Sequence, residues 1–274
     1  SGISFVQFTP VVILLASFSH FDIMTWAVGS TQQYFQLLFA ILSIGYLIHK
    51  KLTACLIFFI CAAFTSGGGL ALAPIIILYL TSEKKWGALA ISLIISALVF
   101  LIYFSLLTYT SPAPNKILTT IFQPYLLLAY FLGFLGGWSN ISTLGLTPLL
   151  LGGACLLTLF TLTAKRSFSK TPFFFWLSTY ILITATLTAL NRSDLGLISS
   201  GDSRYSQYSL LFLSCIYLGY IGSEINERCK LIVLYSFTIF SSGTPQLARC
   251  PFYSRRINQV RGIWWKVNSK LHAI

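Results

Sequence analysis

Acidic residues are scarce in this chain: six Asp and Glu stand among 274 residues, against 18 Lys and Arg, and all charged residues together make up only 9%. A soluble domain of this length covers its surface with charge at about a quarter of its positions, so a soluble globular protein is excluded. Cysteine is present but gives no framework. Cys55, Cys61, Cys155, Cys215, Cys229 and Cys250 fall mostly in apolar segments or on the predicted cytoplasmic side, without CxxC spacing, and read as small lipophilic side chains. No metal site and no cofactor are expected. A basic leader region and a small-residue cleavage site are both missing after Ser1, so nothing marks a signal peptide. The lack of an initiating Met is what a fragment or processed product would show. No internal repeat is visible, which removes positive support for an inverted-repeat transporter.

Apolar sequence fills the space. Hydrophobic residues make up 56% of the chain, the mean hydropathy is +0.80, and runs near 20 residues long can be satisfied only in lipid. Between them sit basic clusters: His49-Lys50-Lys51, Glu83-Lys84-Lys85, Lys165-Arg166 with Lys170, and Glu227-Arg228 with Lys230. Basic loops stay cytoplasmic, so these clusters predict orientation as well as class. The net charge of +12 belongs to loops and tail beside lipid headgroups, and nucleic-acid binding is not expected.

The expected fold is all-α, a polytopic integral membrane helix bundle with eight crossings at 3–18, 34–48, 52–64, 70–80, 86–107, 144–163, 173–190 and 208–221. The two arms 52–64 and 70–80 form a hairpin about Thr65-Ser66-Gly67-Gly68-Gly69. Each is shorter than the roughly 20 residues a span needs, so a thinned membrane or an apex below its surface is expected. The stretch 117–135 is apolar enough to cross. If it did, Lys165, Arg166 and Lys170 would lie outside with Arg192 and Arg204 inside, so it reads as a re-entrant or interfacial helix on the outer face. Residues 1–222 form the transmembrane domain. Residues 223–274, with Arg255-Arg256 and Trp264-Trp265, form a basic cytoplasmic tail, peripheral or partly disordered. Both termini are then cytoplasmic, in a bacterial inner (plasma) membrane, with membrane lipids as partners.

With this topology, the polar residues that the charge bias does not explain collect on the outer face. The first outer loop offers His20, Asp22, Trp26, Gln32 and Gln33; the apex offers Ser66 and Gly67; the segment after 135 ends in Trp138, Ser139 and Asn140; the last outer loop holds Arg192, Asp194, Asp202, Arg204 and Tyr205. His20 and Asp22 suit a general base, or else Ser19 or Asp22 caps a helix beside an ordinary loop histidine. Arg204, oriented by Asp202, suits a lipid-linked phosphate, or else Asp202 or a neighbouring Ser caps a helix with Tyr205 in the aromatic belt. The glycines at 67 to 69 suit an anion cradle, or simply a tight turn. Asn140-Ile141-Ser142 and Asn191-Arg192-Ser193 match the N-glycosylation acceptor pattern.

The run Ala63-Phe64-Thr65-Ser66-Gly67-Gly68-Gly69-Leu70 through Pro74, and Asp202-Ser203-Arg204-Tyr205-Ser206 through Leu210, resemble stretches of bacterial polytopic membrane proteins. Those proteins in turn resemble the polyprenyl-phosphate-sugar-dependent glycosyltransferases of the GT-C superfold. Over 21–221 the resemblance implies sugar transfer on the outer face from a polyprenyl-phosphate sugar donor. Asp22 and His20 would be catalytic, and Arg204, Arg192, Asp202, Tyr205, Ser66 and Gly67 would bind substrate. The chain departs from that pattern in the first outer loop, where Asp22 is the only carboxylate and such enzymes usually carry an acidic pair. The alternative is a non-enzymatic membrane protein, a permease-like carrier or an inactive fragment of a larger one. A carrier needs ionisable or helix-breaking positions near the bilayer midplane, whereas the polar groups here are expected at the ends of apolar spans.

Overall fold

The computed structural model describes residues 11–12, 27–106, 123–137, 146–165, 168, 171–193 and 203–222. These residues are overwhelmingly helical, and no strand occurs among them. In chain order the helices are α1 (Ala27–Ile48), α2 (Leu52–Thr65), a short 3-10 turn (Gly67–Ala71), α3 (Leu72–Ser82), α4 (Trp86–Leu106), α5 (Pro124–Leu135), α6 (Leu146–Ala164), α7 (Pro172–Arg192) and α8 (Ser203–Ile221). Three of them, α4 over Trp86–Ser105, α6 and α7, are long and apolar enough to cross a membrane.

Local chemistry explains the helix ends. Pro124 and Pro172 open α5 and α7, where the missing N–H would have had no helical partner. The ends of α1 and α3 share one geometry. Lys50 and Lys84 take left-handed backbone angles, with φ of 61° and 56°. In the first turn the Lys50 N–H donates to Leu47 at 3.0 Å and the Lys51 N–H to Tyr46 at 2.9 Å; in the second, Lys84 donates to Thr81 and Lys85 to Leu80, both at 3.0 Å. This is the crossed pair of bonds that closes a helix with its orphan carbonyls satisfied.

Helix directions follow from close contacts. A Cβ on Gly45, late in α1, would lie 3.9 Å from the Phe173 ring at the start of α7, and Gly219 and Gly222 at the end of α8 lie against Phe168 and Thr171. The end of α1, the start of α7 and the end of α8 therefore share one end of the bundle with the lysine turns, the basic end. Helix α5 runs antiparallel to α6: Leu132 meets Gly152 and Gly136 meets Pro148. Helices α1 and α2 pack along each other, with Tyr46 stacked on Phe58 at 5.5 Å and nearly parallel planes. The core holds Phe59, Phe134, Tyr180 and Phe212. Val11 is buried against Tyr217, Leu218 and Ile221.

The polarity of α4 is inverted relative to a water-soluble helix. Ser92, Ser96 and Val99 face inward, while Ile91, Leu93, Ile94, Leu98, Leu101 and Phe104 are exposed. On α6 the outward side carries Leu150, Leu157 and Phe160, exposed by 67–74%. Buried hydroxyls close on their own helices: Ser92 donates to the Ala88 carbonyl at 2.9 Å and Thr184 to that of Tyr180 at 2.9 Å.

Several sequence expectations need correction. Helix α1 begins at Ala27 rather than 34, and α8 at Ser203 rather than 208. Gln32, Gln33 and Tyr205, expected in loops, therefore lie on helices; Gln is a good helix former, and nothing breaks the helix between 27 and 34. Of the span 3–18 only 11–12 are described, and the tail 223–274 lies outside the described residues.

At the α5–α6 crossing, a Cβ on Gly152 would collide with the Leu132 carbonyl and approach the Gly136 nitrogen, both backbone, whereas a Cβ on Gly153 would meet nothing within 4 Å. Gly152→Ala is expected to cost about 1–3 kcal/mol by forcing the helices apart, seen as a lower melting temperature in detergent. Gly153→Ala, next door, should be neutral or slightly stabilising through helix propensity. Equal effects from the two would contradict the crossing.

Candidate functional site

The 3-10 turn breaks the path of the chain between α2 and α3 inside the bundle. The Ser66 N–H donates to the Ala62 carbonyl at 3.1 Å and the Gly69 N–H to the Ser66 carbonyl at 2.8 Å. Gly69 lies directly against the backbone of Ala62 and Ala63, Gly68 against the Gln36 amide, and a Cβ on Gly67 would come within 2.8 Å of the Tyr103 hydroxyl. At Gly69 the approach is backbone to backbone and leaves no room for a side chain; at Gly67 and Gly68 the neighbours are side-chain ends. The carbonyl of Gly68 is reached from α7, where Tyr180 donates its hydroxyl at 3.4 Å. Tyr180 is twelve residues before the end of α7, about 18 Å at 1.5 Å per residue, so the turn meets the middle of that helix.

Around Tyr180 a set of uncharged polar groups converges. Gln36 on α1 donates from Nε2 to the Tyr180 hydroxyl at 3.0 Å. Tyr208 on α8 neighbours both Tyr180 and Gln36, and its hydroxyl donates to Gln33 Oε1 at 3.3 Å. Gln207 Nε2 donates to the same Gln33 oxygen at 3.4 Å. Gln36, Tyr180, Gln207 and Tyr208 are all buried, and Gln33 is half-buried. The Gln207 Oε1 atom is buried with no hydrogen-bond partner. An unmet acceptor of this kind costs about 1–3 kcal/mol.

Above this cluster, at the end opposite the lysine turns, Arg192 ends α7 with its guanidinium 5.9 Å from the centre of the Tyr205 ring. Tyr205 is buried and packs against Phe134 at 5.1 Å; Phe134 also touches Tyr208 at 6.0 Å. A cation over a tyrosine face gains about 0.5–1 kcal/mol and holds a long side chain in place. Arg192 thus has a fixed position at the rim of a buried, neutral, hydrogen-bonding interior.

The structure brings Arg192 to Tyr205 and Gln33 to Tyr208; the glycine turn with Ser66 and Gly67 meets Tyr180, about 18 Å along α7 from Arg192. Arg204 lies in the first turn of α8, next to Tyr205 in sequence. Asp22, His20, Asp202, Trp26, Asp194, Trp138, Ser139 and Asn140 lie outside the described residues. No group of three or more His, Cys, Asp or Glu that could hold a metal occurs among the described residues. The acceptor pattern at Asn191 sits on the last turn of α7, where its side chain donates to the Leu187 carbonyl at 2.8 Å and Ser193 is buried; a glycan transferred to an extended loop would not find it presented.

Sequence reasoning passed over Gln36, Tyr180, Gln207 and Tyr208, and expected the polar groups at the ends of apolar spans. Gln36 and Tyr180 stand well inside their helices, and the glycine break stands beside them. The available signal was Gln36 itself, an amide two residues into the apolar run 34–48, because a polar side chain within such a run needs a partner on another helix. Comparison with protein-family models, with curated proteins and with solved structures finds no match to this chain.

If Gln36 and Tyr180 act as a pair, Gln36→Leu and Tyr180→Phe should be non-additive. A double-mutant cycle on thermal stability in detergent should return a coupling on the order of 0.6 kcal/mol, and up to about 1.7. Strict additivity would contradict the bond.

Proposed function

We propose that this chain is a multi-pass integral membrane protein, a bundle of about eight crossing or near-crossing helices, that binds a polyprenyl-phosphate-linked sugar at its outer face and transfers the sugar in the manner of GT-C enzymes. Membrane residence is supported by α4, with serines inside and leucines outside, and by the exposed Leu150, Leu157 and Phe160 of α6, since lipid is the solvent that rewards such a surface. Orientation is supported by the lysine turns. Lys50 and Lys84 occupy left-handed positions where glycine is the low-cost residue, and what lysine contributes there is charge, which holds a turn on the cytoplasmic side. Both termini are then cytoplasmic.

Within this topology α2, of 14 residues, and α3, of 11, are a hairpin that enters from the cytoplasmic side and turns back inside the membrane. Helix α5 stands antiparallel along α6, which favours a re-entrant over an interfacial placement for 117–135.

The observation that carries the functional reading is the Arg192 guanidinium held over Tyr205, which is joined through Phe134 to Tyr208 and the buried polar cluster. A permanent cation at the rim matches a phosphate, and neutral donors and acceptors beneath match what the phosphate carries. In the transfer step Asp22 takes the proton of an acceptor hydroxyl as its oxygen bonds to the anomeric carbon. The bond from that carbon to the phosphate oxygen breaks, and the polyprenyl phosphate leaves with the negative charge, met by Arg192 and Arg204. In this reading His20 is catalytic with Asp22, and Asp202 orients Arg204.

A second reading, a permease-like carrier for a polar solute, is favoured by one observation, the glycine helix break against the middle of α7, a device by which carriers line a midplane site. One experiment separates the two. Crosslinking of a photoactivatable polyprenyl-phosphate sugar to the chain in lipid nanodiscs should saturate in the wild type and weaken at least about 10-fold in Arg192→Ala and in Arg204→Ala, the loss expected for a charge-assisted pair. Unchanged crosslinking in both variants would remove the phosphate assignment. Uptake of free labelled sugar into proteoliposomes without transfer would establish the carrier.

A further inference from the structure

Three hydrogen bonds in the interior cluster are long. Tyr180 to the Gly68 carbonyl is 3.4 Å, Gln207 to Gln33 is 3.4 Å and Tyr208 to Gln33 is 3.3 Å, where well-made bonds of these types lie near 2.7–3.0 Å. Beside them the Gln207 Oε1 atom, on a side chain only 3% exposed, has no partner at all. Tyr208 also lies within hydrogen-bonding reach of Gln36 and Tyr180, yet these five polar side chains from three helices and one backbone carbonyl leave an acceptor unmet and three bonds long. Such an arrangement is expensive in an apolar bundle unless another molecule completes it.

We infer that Gln33, Gln36, Gly68, Tyr180, Gln207 and Tyr208 form a binding site for an uncharged, hydroxyl-rich group, a sugar ring bearing neighbouring hydroxyls. Each hydroxyl donates one bond and accepts others, so adjacent hydroxyls alternate between the two roles. The cluster offers the same alternation: Gln207 Oε1 and the Gly68 carbonyl accept, the Gln36 amide donates, and the phenols of Tyr180 and Tyr208 do both. The glycine turn lets a backbone carbonyl take part, since any side chain on Gly68 would occupy the place of the Gln36 amide.

No Asp, Glu, Lys, Arg or His is among the six, and the cation at Arg192 faces Tyr205 at the rim. Among the described residues no charged side chain belongs to this cluster, so a carboxylate or ammonium seated within it would lose its hydration unpaired, which costs several kcal/mol. The site therefore selects neutral sugars over uronic acids and free amino sugars. This inference deepens the reading above by naming what the phosphate carries; it rests on the same site but not on the phosphate assignment or on transfer.

The test uses the full chain in nanodiscs, free of sugar detergents, with four probes: polyprenyl phosphate, polyprenyl-phosphoryl glucose, polyprenyl-phosphoryl glucuronic acid and octyl β-glucoside. The glucose conjugate should bind about 10-fold more tightly than bare polyprenyl phosphate, the gain expected from one or two neutral hydrogen bonds. The glucuronic conjugate should show no such gain. Gln207→Met should erase the tenfold margin and leave the bare lipid phosphate unaffected. Tyr208→Phe serves the same purpose should Gln207→Met fail to give a monodisperse protein. Saturable octyl glucoside binding, lost in Gln207→Met, with no affinity for polyprenyl phosphate, would uphold this inference and overturn the phosphate reading. Lipid-phosphate binding to which glucose adds nothing would overturn this inference alone. A glucuronic conjugate as tight as the glucose conjugate would overturn the selection against charge.

Discussion

The bond from the Tyr180 hydroxyl to the Gly68 carbonyl marks the constraint on which the rest depends: a helix broken inside an apolar bundle exposes backbone groups that water cannot reach. Each has to be satisfied from within, or the break costs several kcal/mol per group. The chain meets this demand locally, through Ser66 to Ala62 and Gly69 to Ser66, and at long range through Tyr180. Tyr180 is in turn held by Gln36, and Gln36 neighbours Tyr208. The need of one broken turn is thus passed to α1, α7 and α8, and these helices carry the cluster at the candidate site.

The surrounding packing follows from the same solvent. With apolar side chains outside as well as inside, burial gives little net drive for helices to associate, and close approach has to supply it. Gly136 and Gly152 bring α5 and α6 into backbone contact, Gly69 brings the turn onto α2, and Gly219 admits the Phe168 ring. Aromatic rings fill the wider gaps, as where Tyr79 meets Trp176 edge-on at 5.6 Å. Several polar groups are paired across helices around the break, as Gln36 is with Tyr180, and others close on their own helix, as Thr184 does.

Much of this was legible in the sequence, and the part that was not has a clear cause. Apolar runs located α2, α3, α4, α6 and α7 to within about two residues, because lipid imposes hydrophobicity on whole segments. The lysine clusters marked the turns, and the glycines at 67 to 69 marked the break between two arms too short to span. Helix α1 was begun too late, at 34, because Gln32 and Gln33 look like loop residues when read locally. They are helical because Gln33 meets Gln207 and Tyr208, some 174 residues away, and no local pattern records such a pairing. Arg192 and Tyr205, close in sequence, do lie together in the structure. Tyr180 was missed, because its role depends on a carbonyl 112 residues distant.

The measurement that bears most directly on this account is the accessibility of single cysteines in a background from which the six native cysteines are removed. Positions 51, 66 and 84 would be tested with a membrane-impermeant thiol reagent applied from each face of oriented vesicles. The account predicts that 51 and 84 react from the same face, the cytoplasmic one, and that 66 is protected from both. Rapid labelling of 66 from the face opposite 51 and 84 would show that the hairpin crosses the membrane, and would contradict a break held inside it.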